Sequence, residues 1–226
     1  MATPGKRYRA DLEGWDREQP MPLDEAVNRI TQFKKTKFDQ SVELCMHLGI
    51  DAKQADQAIR GSVSLPHGIG VARRVVAFCS ADKIEDAKGA GAIEAGGEEL
   101  VKKIGDGWME FDVAVASPDM MRVVSKLGRT LGPKGLMPSP KSGTVTPDII
   151  GAVKEYGAGK VEFRNDAGGN VQVSVGKLSF DADKLRDNAQ SFIDTIMRMK
   201  PASTKGVFVK KISLSGTMTP GIRIAV

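Results

Sequence analysis

The sequence predicts a discontinuous α+β domain, an antiparallel sheet with helices drawn from both ends of the chain, with a three-layer α/β domain inserted between them. Three observations carry this expectation. Residues 1–67 and 159–226 share one vocabulary, alternating strands and one long amphipathic helix each, whereas residues 68–158 alternate short apolar strands with helices. The second pattern is that of a largely parallel sheet with helices on its faces. Glycine-bearing breaks, Leu65-Pro66-His67-Gly68-Ile69-Gly70 and Gly157-Ala158-Gly159, separate the two textures and serve as hinges. A chain of 226 residues is long enough for two cores, and the termini of a domain commonly lie close enough to accept an insertion.

In the first segment, Ala26, Val27, Ile30 and Phe33 recur at helical spacing over residues 23–36, with Asp24 and Glu25 suited to the first turn. From Ser41 to Leu48 the pattern has period two. Val42, Leu44, Met46 and Leu48 point one way, and Ser41, Glu43, Cys45 and His47 the other, as in a half-buried strand. The middle segment opens with an apolar strand, Val71 to Cys79, then a helix over Ile84 to Lys88 and a short Ala92 to Ala95 segment. Gly96 and Gly97 open a helix through Ile104, and Val113 to Ala116 is a second apolar strand. Ser117 as N-cap with Pro118 at the first helical position predicts a helix to Leu127, and Thr146-Pro147 repeat that start for a helix ending near Tyr156. In the last segment Val161 and Phe163, then Val171, Val173 and Val175, alternate with polar residues on either side of Asp166-Ala167-Gly168-Gly169, which predicts a hairpin. Leu185, Ala189, Phe192, Ile193 and Ile196 share one face of a long helix, and Ile222, Ile224 and Val226 alternate in a final strand.

Charge narrows the partners. The surplus is +5, and it is uneven. Residues 1–67 hold ten basic and ten acidic side chains and residues 68–158 twelve of each, but residues 159–226 hold eleven basic and six acidic. No acid follows Asp194, while Arg198, Lys200, Lys205, Lys210, Lys211 and Arg223 do. A polyanion is attracted most strongly there; a solvated basic face without a partner is the plainer alternative. Residues 1–19 are polar and mixed in charge, unlike a secretory leader, and no run approaches a membrane span. A cytoplasmic protein with no membrane contact is expected. Cys45 and Cys79, the only thiols, sit in apolar strand-like runs and are expected as buried free cysteines rather than a disulfide or metal pair.

Catalysis finds little support. His47 and His67 are the only histidines, neither has carboxylates or thiols at metal-ligand spacing, and no nucleophile elbow is present. No catalytic residue, metal or cofactor is expected. The glycines of Gly89-Ala90-Gly91-Ala92 and Gly96-Gly97 lack dinucleotide-loop spacing and read as turns.

Three stretches carry the chemistry of nucleic-acid contact. The Gly/Pro-rich loop from Lys126 to Pro147 holds Lys126, Arg129, Lys134 and Lys141 without an acid before its end. It does not match a nucleotide loop, and it is either a phosphate-contacting surface or a purely structural one. The tail Ser213 to Gly221 packs small hydroxyl residues around a turn, a set that reads ribose 2′-OH and phosphate groups; an ordinary turn is the alternative. Lys37-Phe38-Asp39-Gln40-Ser41-Val42-Glu43 brings a cation and an aromatic into the first strand, where Phe38 either stacks on a base or packs in the core. Glu43 either accepts from a base or 2′-OH or pairs with a lysine.

Taken together, Gly5-Lys6-Arg7-Tyr8, Lys37-Phe38-Asp39, the stretch from Asp56 to His67, Gly96 to Phe111, Leu127 to Val145, Val161 to Asp166 and Ser215 to Arg223 resemble the bacterial family of large-subunit ribosomal protein L-one. That is the protein of the mobile stalk beside the tRNA exit site. The run Leu-Gly-Arg-Thr-Leu-Gly-Pro-Lys-Gly-Leu-Met-Pro from Leu127 is the most specific piece. The resemblance implies a discontinuous rRNA-binding domain, residues 1–67 and 159–226, and a Rossmann-like insert over 68–158 that moves on its hinges and makes lesser RNA contacts. It implies large-subunit rRNA, exit-site tRNA and the protein's own operon mRNA as partners, and a monomer when free. Carried over by position, the rRNA-binding candidates are Lys37, Phe38, Ser41, Glu43, Arg164, Asp166, Ser215, Thr217, Met218, Gly221 and Arg223, with Lys126, Arg129, Lys134 and Lys141 as the secondary contact.

One departure stands out. The family pattern is Thr-Met-Gly-Pro, and this chain reads Thr217-Met218-Thr219-Pro220. A β-branched residue there is expected to crowd an approaching RNA backbone, or to cost about 1 kcal/mol or more if the position needs a left-handed conformation.

Overall fold

The computed structural model describes residues 5–13, 15–34 and 36–225. In chain order the elements are α1 (Lys6–Leu12), α2 (Leu23–Gln32), β1 (Ser41–Leu48), β2 (Arg60–Val63), β3 (Val75–Phe78), α3 (Ile84–Gly89), β4 (Glu94–Gly96), α4 (Glu98–Gly105), β5 (Val113–Ala116), α5 (Met121–Val124), α6 (Gly128–Leu131), α7 (Ile149–Gly157), β6 (Val161–Arg164), β7 (Asn170–Lys177), α8 (Ala182–Arg198), β8 (Val209–Gly216) and β9 (Ile222–Ile224). Val226, the last of the expected alternating residues, lies outside the described residues. The chain divides into two compact units, Met1–Gly70 with Val161–Val226, and Val71–Lys160.

The first unit is built on a four-stranded antiparallel sheet in the order β7-β1-β8-β9. Period-two alternation sends Val42, Leu44, Met46, Leu48, Val171, Val173, Val175, Ile212, Leu214, Ile222 and Ile224 to one face, where all are buried. α8 packs on β7, α2 on β8 and β9, and the two helices on each other. Leu185, Ala189, Phe192 and Ile196 form the inner stripe of α8. Phe33, expected on α2, follows the helix in extended backbone, yet it is buried and packs against Trp15 with ring centroids 6.2 Å apart. Asn188 is wholly buried on α8 and fully employed: its Oδ1 accepts from His67 N–H, and its Nδ2 donates to the carbonyls of Gly68 and Val175. It thereby fastens the Leu65–Gly70 turn and β7 to the helix.

The hairpin expected across residues 161–175 is only partly formed. Its turn is present, with Asp166 N–H donating to Asn170 O and Gly169 N–H to Asp166 O, and one bridge joins Asn165 to Val171. Beyond that the strands part. β6 pairs with β2 in a separate two-stranded sheet, and β7 pairs with β1 over its whole length. β2 was not expected; its short run supplies a partner that local pattern alone does not announce.

The second unit is built on a parallel sheet in the order β4-β3-β5. Both faces are covered. Val75, Ala77, Val113 and Val115 pack with Ala87 of α3 and Ile149, Val153 and Tyr156 of α7; Val76, Phe78, Ala114 and Ala116 pack with Leu100 and Ile104 of α4 and Val124, Leu127 and Leu131. Burial on both sides explains why these strands are continuous apolar runs rather than alternating ones. Two helix starts differ from expectation. α5 begins at Met121, after a turn over Ser117–Met120, and Ser117 does not cap it. α7 begins at Ile149, capped by the Asp148 carboxylate, which accepts from Gly151 N–H, while Thr146 Oγ1 only accepts from Asp148 N–H. In both places proline directs the chain into the turn before the helix instead of its first residue.

Candidate nucleic-acid interface

The outer face of the four-stranded sheet is polar and, among the described residues, carries no core cluster. Strand register sets its rows. Glu43 lies between Ser174 of β7 and Ser215 of β8, Cys45 between Gln172 and Ser213, and His47 between Asn170 and Lys211. Arg223 of β9 lies opposite Ser213. Glu43 and Gln172 are exposed and the serines half-buried, so the face presents hydroxyls, amides and a few charges. A bulge between Val42 and Glu43 accommodates Gly176, whose φ of 155° and close neighbours, Leu185 and Phe180, exclude a side chain. It brings Lys177 beside Ser41, whose Oγ accepts from Lys177 Nζ at 2.9 Å.

At the end where β1 starts, the loop after β8 is tied to β1. Thr217 N–H donates to Ser41 O at 3.1 Å, and Thr217 Oγ1 accepts from Ser41 N–H at 3.1 Å. Gln40 is buried, and its Oε1 accepts from Met218 N–H at 2.9 Å; Arg7 Nη2 donates to Met218 O at 2.7 Å. With its backbone held on both sides, Met218 projects its side chain outward, 51% exposed. Phe38 is 53% exposed, so the core alternative for it is excluded. Two exposed apolar side chains on a polar rim suit stacking and van der Waals contact with unpaired bases. Beside them a cleft of about 320 Å³ is lined by Thr36, Lys37, Phe38, Asp39, Gln40, Leu178 and Ser179. Asp39 stiffens it, accepting from the N–H and Oγ of Ser179 at 3.2 and 2.7 Å.

Thr219 behaves differently from expectation. No non-glycine residue has a positive φ among the described residues, so Thr219 carries no left-handed strain. Its side chain turns inward, 8% exposed. Thr219 Oγ1 accepts from Gly216 N–H at 2.8 Å and donates to Pro220 O at 3.3 Å. It clamps the loop from inside and leaves the outward backbone clear. Thr219→Gly should therefore cost about 1–2 kcal/mol in urea unfolding and speed hydrogen exchange at Gly216; unchanged stability together with unchanged exchange would contradict the clamp.

The structure thus gathers Lys37, Phe38, Ser41, Glu43, Ser215, Thr217, Met218 and Arg223 on or beside one face. Gly221 faces open space nearby. Glu43 makes no ion pair among the described residues, whereas Arg223 Nη1 donates to Glu18 O at 3.5 Å. Two candidates lie elsewhere. Arg164 is on the two-stranded sheet, directly opposite Arg60. Asp166 is at the far end of β7, where its Oδ1 accepts from the N–H groups of Gly168 and Asn170 at 2.8 Å each. The side-chain and backbone bonds from Asn170, then that from Gly168, hold its carboxyl below the ordinary aspartate value. Asp166 therefore builds the turn. Cys45 is half-buried, its thiol pushed up by burial and by the charge of Asp166, and Cys79 is buried; both are free. The candidate residues omit Gln40 and Arg7, which position the Met218 loop, and Ser174, Gln172 and Ser213, which extend the face, although Gln40 and Ser213 lie within stretches marked for nucleic-acid contact. The parity of β7 and β8 would have found Ser174, Gln172 and Ser213; nothing local singles out Gln40 or Arg7.

In the second unit Lys126, Arg129, Lys134 and Lys141 are exposed and make no ion pair among the described residues; Lys134 Nζ lies 3.0 Å from Met109 Sδ. Arg122 joins them, since residues 122, 126 and 129 share one face of the helical stretch from α5 to α6. The same unit has a cleft of about 780 Å³ at the carboxyl ends of β3 and β4. Glu98 and Glu99 stand in the first turn of α4 there, and Glu94 pairs with Lys103 at 2.7 Å. Acids at a helix N-terminus oppose phosphate binding, so the cleft is ill suited to a nucleotide.

Comparison with known proteins agrees with the sequence resemblance. Residues 30–220 match the model of the Ribosomal protein L1p/L10e family. The chain is 47% identical over 224 residues to the large ribosomal subunit protein uL1 of Nitratidesulfovibrio vulgaris (strain DSM 19637 / Miyazaki F), covering 99% of this chain and 95% of that protein. It is also 47% identical over 224 residues to the large ribosomal subunit protein uL1 of Kosmotoga olearia (strain ATCC BAA-1733 / DSM 21960 / TBF 19.5.1), covering 99% and 97%. With matches that run nearly end to end, this chain belongs to the Ribosomal protein L1p/L10e family.

Proposed function

We propose that this protein, a non-enzymatic constituent of the large ribosomal subunit in the cytoplasm, binds stalk rRNA through the polar face of its four-stranded sheet. The observation that carries the reading is the Met218 loop, held by Gln40, Ser41 and Arg7 so that Met218 stands exposed, with exposed Phe38 nearby, at the rim of a hydroxyl-lined surface. Such a surface recognises a folded RNA by shape, 2′-OH and phosphate contacts. Lys37, Ser41, Glu43, Ser215, Thr217, Gly221 and Arg223 belong to the same interface. Arg164 contributes from the neighbouring two-stranded sheet and Asp166 through the turn it builds. The inserted unit, read as Rossmann-like, makes a secondary RNA contact through Lys126, Arg129, Lys134 and Lys141. By the same reading the protein aids release of exit-site tRNA, represses its own operon mRNA through the rRNA site, and is a monomer when free.

Titrating a stalk rRNA fragment with the full-length protein at several salt concentrations tests this. The log of the affinity should fall linearly with log salt, with a slope that counts the phosphates neutralised. Binding that is absent, or indifferent to salt, sinks the reading.

A further inference from the structure

The row of the polar face farthest from the Met218 loop contains a histidine held in one orientation. His47 lies about 20 Å along β1 from Ser41, between Asn170 of β7 and Lys211 of β8. Asn170 Nδ2 donates to both carboxylate oxygens of Asp166, at 3.3 and 3.0 Å. That leaves Asn170 Oδ1 as an acceptor, 2.8 Å from His47 Nδ1. The proton of the neutral ring therefore sits on Nδ1. Nε2, which makes no hydrogen bond among the described residues, is the ring nitrogen left open to a ligand.

The groups around the ring set the consequence. Asp166 acts on it through Asn170, and Cys45 is two residues back on the same strand. Lys211 stands directly across on β8, with Glu18 3.8 Å from its Nζ, and Arg223 of β9 lies in the adjacent Cys45 row, on the side toward the Met218 loop. Protonating His47 places two cations opposite each other on adjacent strands; Glu18 beside Lys211 and Asp166 behind Asn170 offset part of that repulsion, and a bridging phosphate offsets more. Proton uptake and polyanion binding at this row are thus linked, each favouring the other.

We propose that Asn170, His47 and Lys211 form a second RNA-backbone contact whose grip on phosphate strengthens when His47 is protonated. The inference rests on the rRNA-binding reading above and extends it to the opposite end of the sheet. The neutral ring offers Nε2 as an acceptor for a ribose 2′-OH; the imidazolium offers phosphate a charged donor.

The test measures affinity of the full-length protein for a stalk rRNA fragment at fixed ionic strength, between about pH 8 and pH 6. Wild-type affinity should rise about fivefold on acidification. His47→Gln should hold the weaker affinity across the range, and His47→Lys the stronger one. His67→Gln should keep the wild-type profile, because His67 sits in the Leu65–Gly70 turn, 3.2 Å from Asp187. A His47→Gln protein with the wild-type pH slope overturns the inference, as does a wild-type protein with none. Absence of binding by every protein at every pH condemns the rRNA reading itself, and this contact with it.

Discussion

Phe192→Ala is expected to destabilise the first unit by about 3–5 kcal/mol, a large share of the roughly 5–15 kcal/mol that holds a typical domain folded. Phe192 is fully buried on α8, and its ring meets that of Phe163 edge to face, with centroids 5.4 Å apart. Phe163 comes from β6, so the pair ties the helix over the main sheet to the separate β2-β6 sheet. Truncation removes the apolar transfer energy, leaves a cavity the helix cannot close, and deletes an aromatic contact worth about 1 kcal/mol beyond area. The two tryptophans make the measurement clean. Trp15 packs on Phe33 in the first unit and Trp108 on Phe111 in the second. In single-tryptophan variants, urea unfolding reported by Trp15 should shift strongly and that reported by Trp108 far less. Equal shifts would show that the two cores do not unfold as separate units.

Thr217→Ala is expected to weaken stalk rRNA binding about tenfold or more, against about twofold for Lys134→Ala. The Thr217 hydroxyl joins the loop to Ser41 and stands at the rim beside Met218, so its loss removes a polar contact and loosens the backbone that aims Met218. Lys134 is an exposed, flexible charge, and its loss forfeits one screened phosphate interaction. Salt titration separates the two effects. Lys134→Ala should reduce the log–log slope by about one, while Thr217→Ala should lower affinity with the slope unchanged. The opposite ranking would move the main interface to the inserted unit.

Reading the site from sequence worked where one strand carries its own signal. Parity puts Ser41, Glu43, Cys45 and His47 on a polar face, and that is how β1 lies. The sequence leaves Phe38 between core and surface because an aromatic beside a lysine is common in both settings; only the folded chain exposes it. Gln40 lies within the Lys37–Glu43 stretch, but the sequence gives it no role of its own. Its importance comes from a bond to Met218, 178 residues away, and no local pattern encodes a contact of that range. The expected strain at Thr219 did not arise, since the loop turns that side chain inward to bond Gly216 N–H, a choice set by packing rather than by residue type.

By itself the sequence determined which residues alternate, which share a helix face and where glycine breaks the chain, because these follow from backbone periodicity and the steric freedom of single residues. It likewise determined the family, through motifs spread from end to end. Only the tertiary structure decided that β6 leaves β7 to pair with β2, that α5 and α7 start after their prolines, and that Asp166 serves the turn. It also decided that Gln40 and Arg7 close on Met218 while Ser41 holds Thr217 beside it. Each of those outcomes depends on hydrogen bonds and packing between residues distant in the chain, whose energies exist only once the partners have been brought together.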